Sequence, residues 1–175
     1  MKKSASAVVL FGLVFAFISG CSSGPVIKTQ DYAELRSERT FESEMTPVWK
    51  AIEKALASYK ITDRDPESLD SVELRKTKEI SIDTDWIYSR SRDKYHEYRV
   101  NGSPRKEYLQ TRLRYHVTAL KVMGGVQVKV AMDEEVERLK DDGTPDGYDS
   151  VEFSDTSRAN DLLEKINLEL LSGTP

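Results

Sequence analysis

The alternation between Tyr108 and Asp133 limits what this chain can fold into more than any other feature. Leu109, Thr111, Leu113, Tyr115, Val117 and Ala119 occupy one set of positions, and Gln110, Arg112, Arg114, His116 and Thr118 the other. Successive strand side chains point to opposite faces, so a period of two sustained this far predicts a long strand with one buried and one polar face. Gly124-Gly125 then suits a hairpin turn, and Val126, Val128, Val130 and Met132 alternate with Gln127, Lys129 and Asp133. The two runs are expected to pair antiparallel, and something must cover their apolar face.

Two amphipathic segments are the natural cover. In TPVWKAIEKALASYK, Trp49, Ile52, Leu56 and Tyr59 recur at helical spacing, with Thr46 as cap and Pro47 at the first helical position. Near the end, Ala159, Leu162, Leu163, Ile166 and Leu170 form a broad stripe between a capping Ser157 and a terminating Gly173. Upstream of the hairpin, EISIDTDWIYS reads as one more strand, with Ile80, Ile82, Thr84, Trp86 and Tyr88 on its buried side. ITDRDPESLDS reads as an acidic turn around Pro66, Asn101-Gly102-Ser103-Pro104 as part of a polar loop, and DGTPDGYDSVEF as a polar turn. The expected fold is a single α+β domain over residues 46–175. It is an antiparallel sheet of about four strands with N-terminal and C-terminal helices packed on one face.

The chain start is of a different kind. Met1-Lys2-Lys3 precedes an apolar run from Ala7 to Ile18, closed by Ser19 and Gly20. A spanning helix needs about 20 apolar residues, whereas a signal peptide core needs about 7 to 15. Residues 1–20 therefore read as a cleaved leader. Ile18-Ser19-Gly20-Cys21 resembles the bacterial lipobox, in which the cut falls between Gly20 and Cys21; an ordinary secretory signal is the alternative. The resemblance implies that Cys21, the only cysteine, carries a diacylglyceryl thioether and an N-acyl chain such as palmitate. At about 0.8 kcal/mol per buried methylene, three chains would hold the protein on a membrane lastingly. Ser22, where an aspartate would favour inner-membrane retention, points to the outer membrane and a periplasm-facing domain. No thiol is then left for a disulfide, so the domain relies on its core.

Residues 21–45 read as the lipidated N-terminus and a tether. As a flexible coil its reach is about 25 to 30 Å. Tyr32 and Leu35 are the candidate partner contacts within it.

The catalytic inventory is thin. Only His96 and His116 are present, and HExxH, GxSxG, CxxC and glycine-rich phosphate loops are not. Asp83 and Asp85, two apart on a predicted strand, share one face and read as solvated carboxylates. A calcium-loop alignment through Asp142, Thr144, Asp146 and Ser150 ends on Phe153 where a bidentate glutamate is needed. No catalytic residue and no metal ligand is expected, nor any cofactor beyond the acyl groups at Cys21. With 26 basic and 30 acidic residues, nucleic acid is an unsuitable partner. The charge is also uneven. Trp86 to Lys121 holds nine basic and three acidic residues, whereas Ala131 to Leu170 holds four basic and thirteen acidic, so two electrostatic poles are possible.

Taken together, WKAIEKAL, the strand ending in DTDW, the hairpin through LRYHVTAL and VQVKVAM, and the closing LLEKINLELL resemble the helix-grip domain of BamC-like lipoproteins, the C component of the β-barrel assembly machinery. The resemblance covers roughly residues 46–172, although the usual member has two such domains and this chain has room for one. It implies a non-enzymatic accessory or scaffold in outer-membrane assembly, with an envelope or outer-membrane protein as partner. The competing reading is a lipid- or hydrophobic-ligand-binding transfer protein, its apolar pocket lined by Trp86 and Tyr115.

Overall fold

The computed structural model describes residues 26–27, 35–67, 70–151 and 155–173. In chain order the elements are β1 (Val26–Ile27), β2 (Glu38–Phe41), α1 (Met45–Ala55), β3 (Ile61–Asp65), α2 (Ser71–Lys76) and β4 (Glu79–Thr84). They continue with β5 (Ile87–Val100), β6 (Ser103–Val122), β7 (Gly125–Leu139), β8 (Pro145–Ser150) and α3 (Ser157–Ser172). All eight strands join one antiparallel sheet. Strand accounts for 53% and helix for 24% of the described residues.

The spine is the alternating hairpin. β6 has 20 residues and at strand rise spans roughly 65 Å. β7 pairs with Thr111 to Val122 through a tight turn at Met123-Gly124, one residue before the predicted Gly124-Gly125. Along its other edge β6 has two partners in succession: β4 pairs with His116 to Leu120, and β5 with Ser103 to Leu113. β7 is shared likewise, by β2 near its start and β8 near its end. The sheet is thus two half-sheets on a common spine. One half, the body, runs β2-β7-β6-β4-β3; the other, the arm, runs β8-β7-β6-β5-β1.

Only the body receives the helices. Val48, Trp49, Ile52 and Leu56 of the α1 segment and Leu162, Leu163 and Ile166 of α3 bury against Ile80, Ile82, Val117, Val126, Val128 and Val130. Each such aliphatic side chain contributes about 1.5 to 3 kcal/mol on burial, so this cluster dominates the stability. Gly125 lies at its edge at φ 149°, where an added Cβ would meet the Phe41 carbonyl oxygen at 2.0 Å. Only glycine lets β2 close on the turn. In the arm, Tyr95, Leu109 and Val136 are buried outside that cluster.

These findings correct the expected fold. The sheet has twice the predicted number of strands, and its helices cover one end of it instead of one whole face. The four-strand grip implied by the BamC-like resemblance is therefore not the architecture found. Physically, the missing strands lack the signals used to find them. β5 carries SRSRDKYHEYRV, whose faces are not divided into apolar and polar: Ser91, Asp93, Lys94 and Tyr95 are all buried, and Glu97 to Val100 are all exposed. β3 is a five-residue edge strand, where pairing and not burial decides conformation. β2 lies upstream of Thr46 in the segment read as tether, and its residue Phe41 is buried. The acidic passage before β4 also holds α2, whose capping box joins Asp70 to Glu73. The end of α1 nearest the leader differs slightly as well, with Glu44 as N-cap and Pro47 inside the first turn.

Candidate functional site

The even-numbered face of β6 is free of helices, and a continuous strip of polar and aromatic side chains crosses it. Tyr88 of β5 lies opposite Arg112 of β6, which lies opposite Glu135 of β7. Arg112 pairs with Glu135 at 2.6 Å, and Arg114 with Asp133 at 2.7 Å. Both guanidinium groups lie over the Trp86 ring, 4.4 and 4.8 Å from its centre. The Arg112 guanidinium also contacts the Tyr148 ring of β8 at 4.2 Å. Tyr148 meets Tyr88 edge to face, and its hydroxyl donates to Gln110 Oε1. Two arginines are thereby held flat against rings on rigid strands, which lowers the entropy lost when they bind a planar or acidic group.

At the body end of the strip stands His116. Its Nδ1 is 3.1 Å from Asp83 Oδ1 and its Nε2 is 3.0 Å from Asp133 Oδ2. Carboxylates only accept, so satisfying both contacts needs both ring nitrogens protonated. Partial burial works to lower the imidazole pKa, but the hydrogen bonds to Asp133 and Asp83 outweigh it and the net direction is upward. In return, the His116 bond holds the Asp133 carboxyl below its ordinary range, with a further contribution from Arg114. The result is a charged clasp across β4, β6 and β7.

The sequence-predicted residues are distributed unevenly over this geometry. Asp83 joins the clasp, but Asp85 turns to Lys60 at 2.6 Å, so the two aspartates do not act as a pair. Trp86 and Tyr115 lie on opposite faces of the sheet. β4 stops at Thr84, and Asp85 accepts from the Trp86 amide at 2.8 Å. This break puts the indole under the arginines, whereas Tyr115 packs edge to face on Tyr59 in the core. Burial pushes the Tyr115 phenol up to about 12. No single pocket is lined by both rings. Leu35 is exposed, and its amide donates to Thr156 Oγ1 at 2.9 Å beside the start of α3. Gly20, Cys21 and Tyr32 lie outside the described residues. Asp142 is taken up by Thr144 in a local turn, and Asp146 by Arg138. Among the described residues no group of three or more His, Cys, Asp or Glu side chains is placed to hold a metal ion.

Tyr148, Glu135 and the pairing of Asp133 are what sequence reasoning missed in the strip. The signal for Tyr148 was slight, one aromatic in DGYDS, and reading that stretch as a turn discarded it. Asp133 was placed on the polar face but given no partner, because register across a hairpin this long is needed to find one.

The fold and strip define a sheet-dominated, single-spine protein with an open aromatic and guanidinium face. No protein-family model matches the chain, and no curated protein matches it significantly.

Proposed function

We propose that the chain is a lipid-anchored, periplasm-facing lipoprotein of the bacterial outer membrane that acts as a non-enzymatic accessory or scaffold in β-barrel protein assembly. The open strip is the surface it offers to an envelope protein. The observation that carries this reading is the Trp86, Arg112 and Tyr148 stack. Tryptophan, arginine and tyrosine are the residues most enriched where protein interfaces concentrate their binding energy, and here they are already fixed in place. The leader and Ser19-Gly20-Cys21 support the location. The strip's alternating charges, Arg112 with Glu135 and Arg114 with Asp133, suit a partner that presents its own mixed polar edge.

In-cell photocrosslinking tests the reading directly. A crosslinker placed at Tyr88, exposed at the edge of the strip, is expected to capture a discrete outer-membrane or periplasmic assembly component. Capture is expected to fall in Arg112→Glu and in Cys21→Ser. A protein that stays uncrosslinked, or one captured equally from a probe at Met123 on the far turn, would contradict it.

A further inference from the structure

β1 is short, but its pairing sets where the chain enters the fold. Val26 lies opposite Tyr95 and Ile27 opposite Lys94 in antiparallel register. Travelling backwards from Ile27 to Val26 therefore runs in the direction Lys94 to Tyr95, which is the direction of the β5–β6 turn at Asn101-Gly102. Cys21 precedes Val26 by five residues, and five residues cannot span more than about 18 Å in any conformation. The sequence alone suggested a tether of residues 21–45 with free reach. The pairing ties the start of that segment to the arm.

The arm's end has the chemistry of a surface that meets a membrane. Asn101 and Gly102, at φ 50° and 80°, make the tight two-residue turn that Asn-Gly favours. Exposed Lys106, 3.9 Å from Glu97, lies beside it, and the exposed Arg99 and Arg105 have no carboxylate partner among the described residues. Their counterparts on the spine, Arg112 and Arg114, are neutralised across the strand pair. Tyr98 and Val100 stand beside them and Tyr108 follows further along β6, each at least two-fifths exposed. Basic side chains interleaved with tyrosines suit the anionic headgroup layer, where each cation is attracted and amphipathic rings settle.

We infer that the tip of the β5–β6 arm lies against anionic phospholipid headgroups of the membrane that holds Cys21, with the helix-covered body directed away from it. This rests on the lipoprotein reading above and adds to it an orientation and a lipid class. The body's own free turn, at Met123, is then the most distant point on the spine.

Vesicle flotation of the full mature chain tests the contact, with Cys21→Ser so that no acyl group contributes. Binding to vesicles containing phosphatidylglycerol is expected to exceed binding to pure phosphatidylcholine severalfold and to weaken with salt. The triple variant Arg99→Glu, Arg105→Glu, Lys106→Glu is expected to lose on the order of tenfold or more in partitioning. An equal charge change on the body, Lys50→Glu, Lys54→Glu, Lys129→Glu, is expected to lose much less. Equal binding to both vesicle types, or equal losses in the two triple variants, would overturn the inference. Acylation is scored separately by the mass of the N-terminal peptide recovered from membranes. An unmodified Cys21 would overturn the orientation and the functional reading together, whereas failed flotation beside an acylated Cys21 would overturn the orientation alone.

Discussion

The two halves of the sheet share two strands and differ in almost everything else. In the body, β6 and β7 present Val117, Val126, Val128 and Val130 to two helices, and all four are essentially inaccessible. In the arm the same strands continue past the helices, the described aliphatic burial shrinks to residues such as Leu109 and Val136, and the tip is wholly exposed. The comparison teaches that one pair of long strands can carry a stabilising end and a presenting end. Strand pairing extends rigidity from the first to the second without a second core. Functional surface is then free to be polar, because the body supplies the stability.

Substitutions can break or sharpen this contrast. The largest effect is expected in the body: Ile52→Ala leaves a cavity in a fully buried site and should cost about 2 to 5 kcal/mol by chemical denaturation. Removing the Tyr98 ring from the arm should cost less than about 0.5 kcal/mol, as for exposed sites generally. Next comes Gly125→Ala, which forces a Cβ onto the Phe41 carbonyl. Backbone strain and crowding together are expected to cost about 1 to 3 kcal/mol. Its hydrogen-exchange signature should be loss of protection in β2 with β5 unchanged.

A smaller effect is expected where the halves meet. Arg112→Ala removes contacts to Trp86 and Tyr148 and the ion pair to Glu135, at a cost of about 1 to 2 kcal/mol. The smallest concerns pH. His116 has its folded-state pKa above the ordinary 6.5, so the stability tied to its charged form is fully present below 6.5 and is lost as pH rises through the higher folded value. Melting temperatures between pH 5 and pH 8 should fall by a few degrees in the native chain. The fall should be shallower in His116→Asn, and identical slopes would remove the charged clasp from the account.

The same contrast explains what could be read from the sequence. The body was legible because burial writes a period: Leu113 to Ala119 and Val126 to Met132 alternate, and α1 and α3 carry stripes that the core cluster contains. The arm was not. Between Arg90 and Tyr95, β5 advances five residues while β6 advances two, from Gln110 to Tyr108. This bulge holds Ser91, Asp93 and Lys94 in a buried knot of hydrogen bonds. A bulge resets the alternation, and side chains exposed on both sides offer none to reset. Trp86 was assigned to the wrong face for a related reason. Its stretch alternates without interruption in sequence, but the backbone breaks at Asp85 and β5 restarts in a new phase. Asn101-Gly102 carried a hairpin signal that was read only as loop, because the charged flanks did not resemble strands.

The proposed orientation makes the arm the end presented to the membrane. It is tested most directly in the mature protein recovered from membranes with Cys21 acylated as proposed, so that the lipid blocks that thiol, reconstituted in phosphatidylglycerol-containing vesicles and carrying one spin label at Arg105→Cys or Met123→Cys. The expected result is a label at position 105 shielded from aqueous relaxation agent and broadened by a headgroup-bound one, with the label at 123 free in solution. Equal aqueous exposure at both positions, or a label at 123 closer to the bilayer than one at 105, would contradict it.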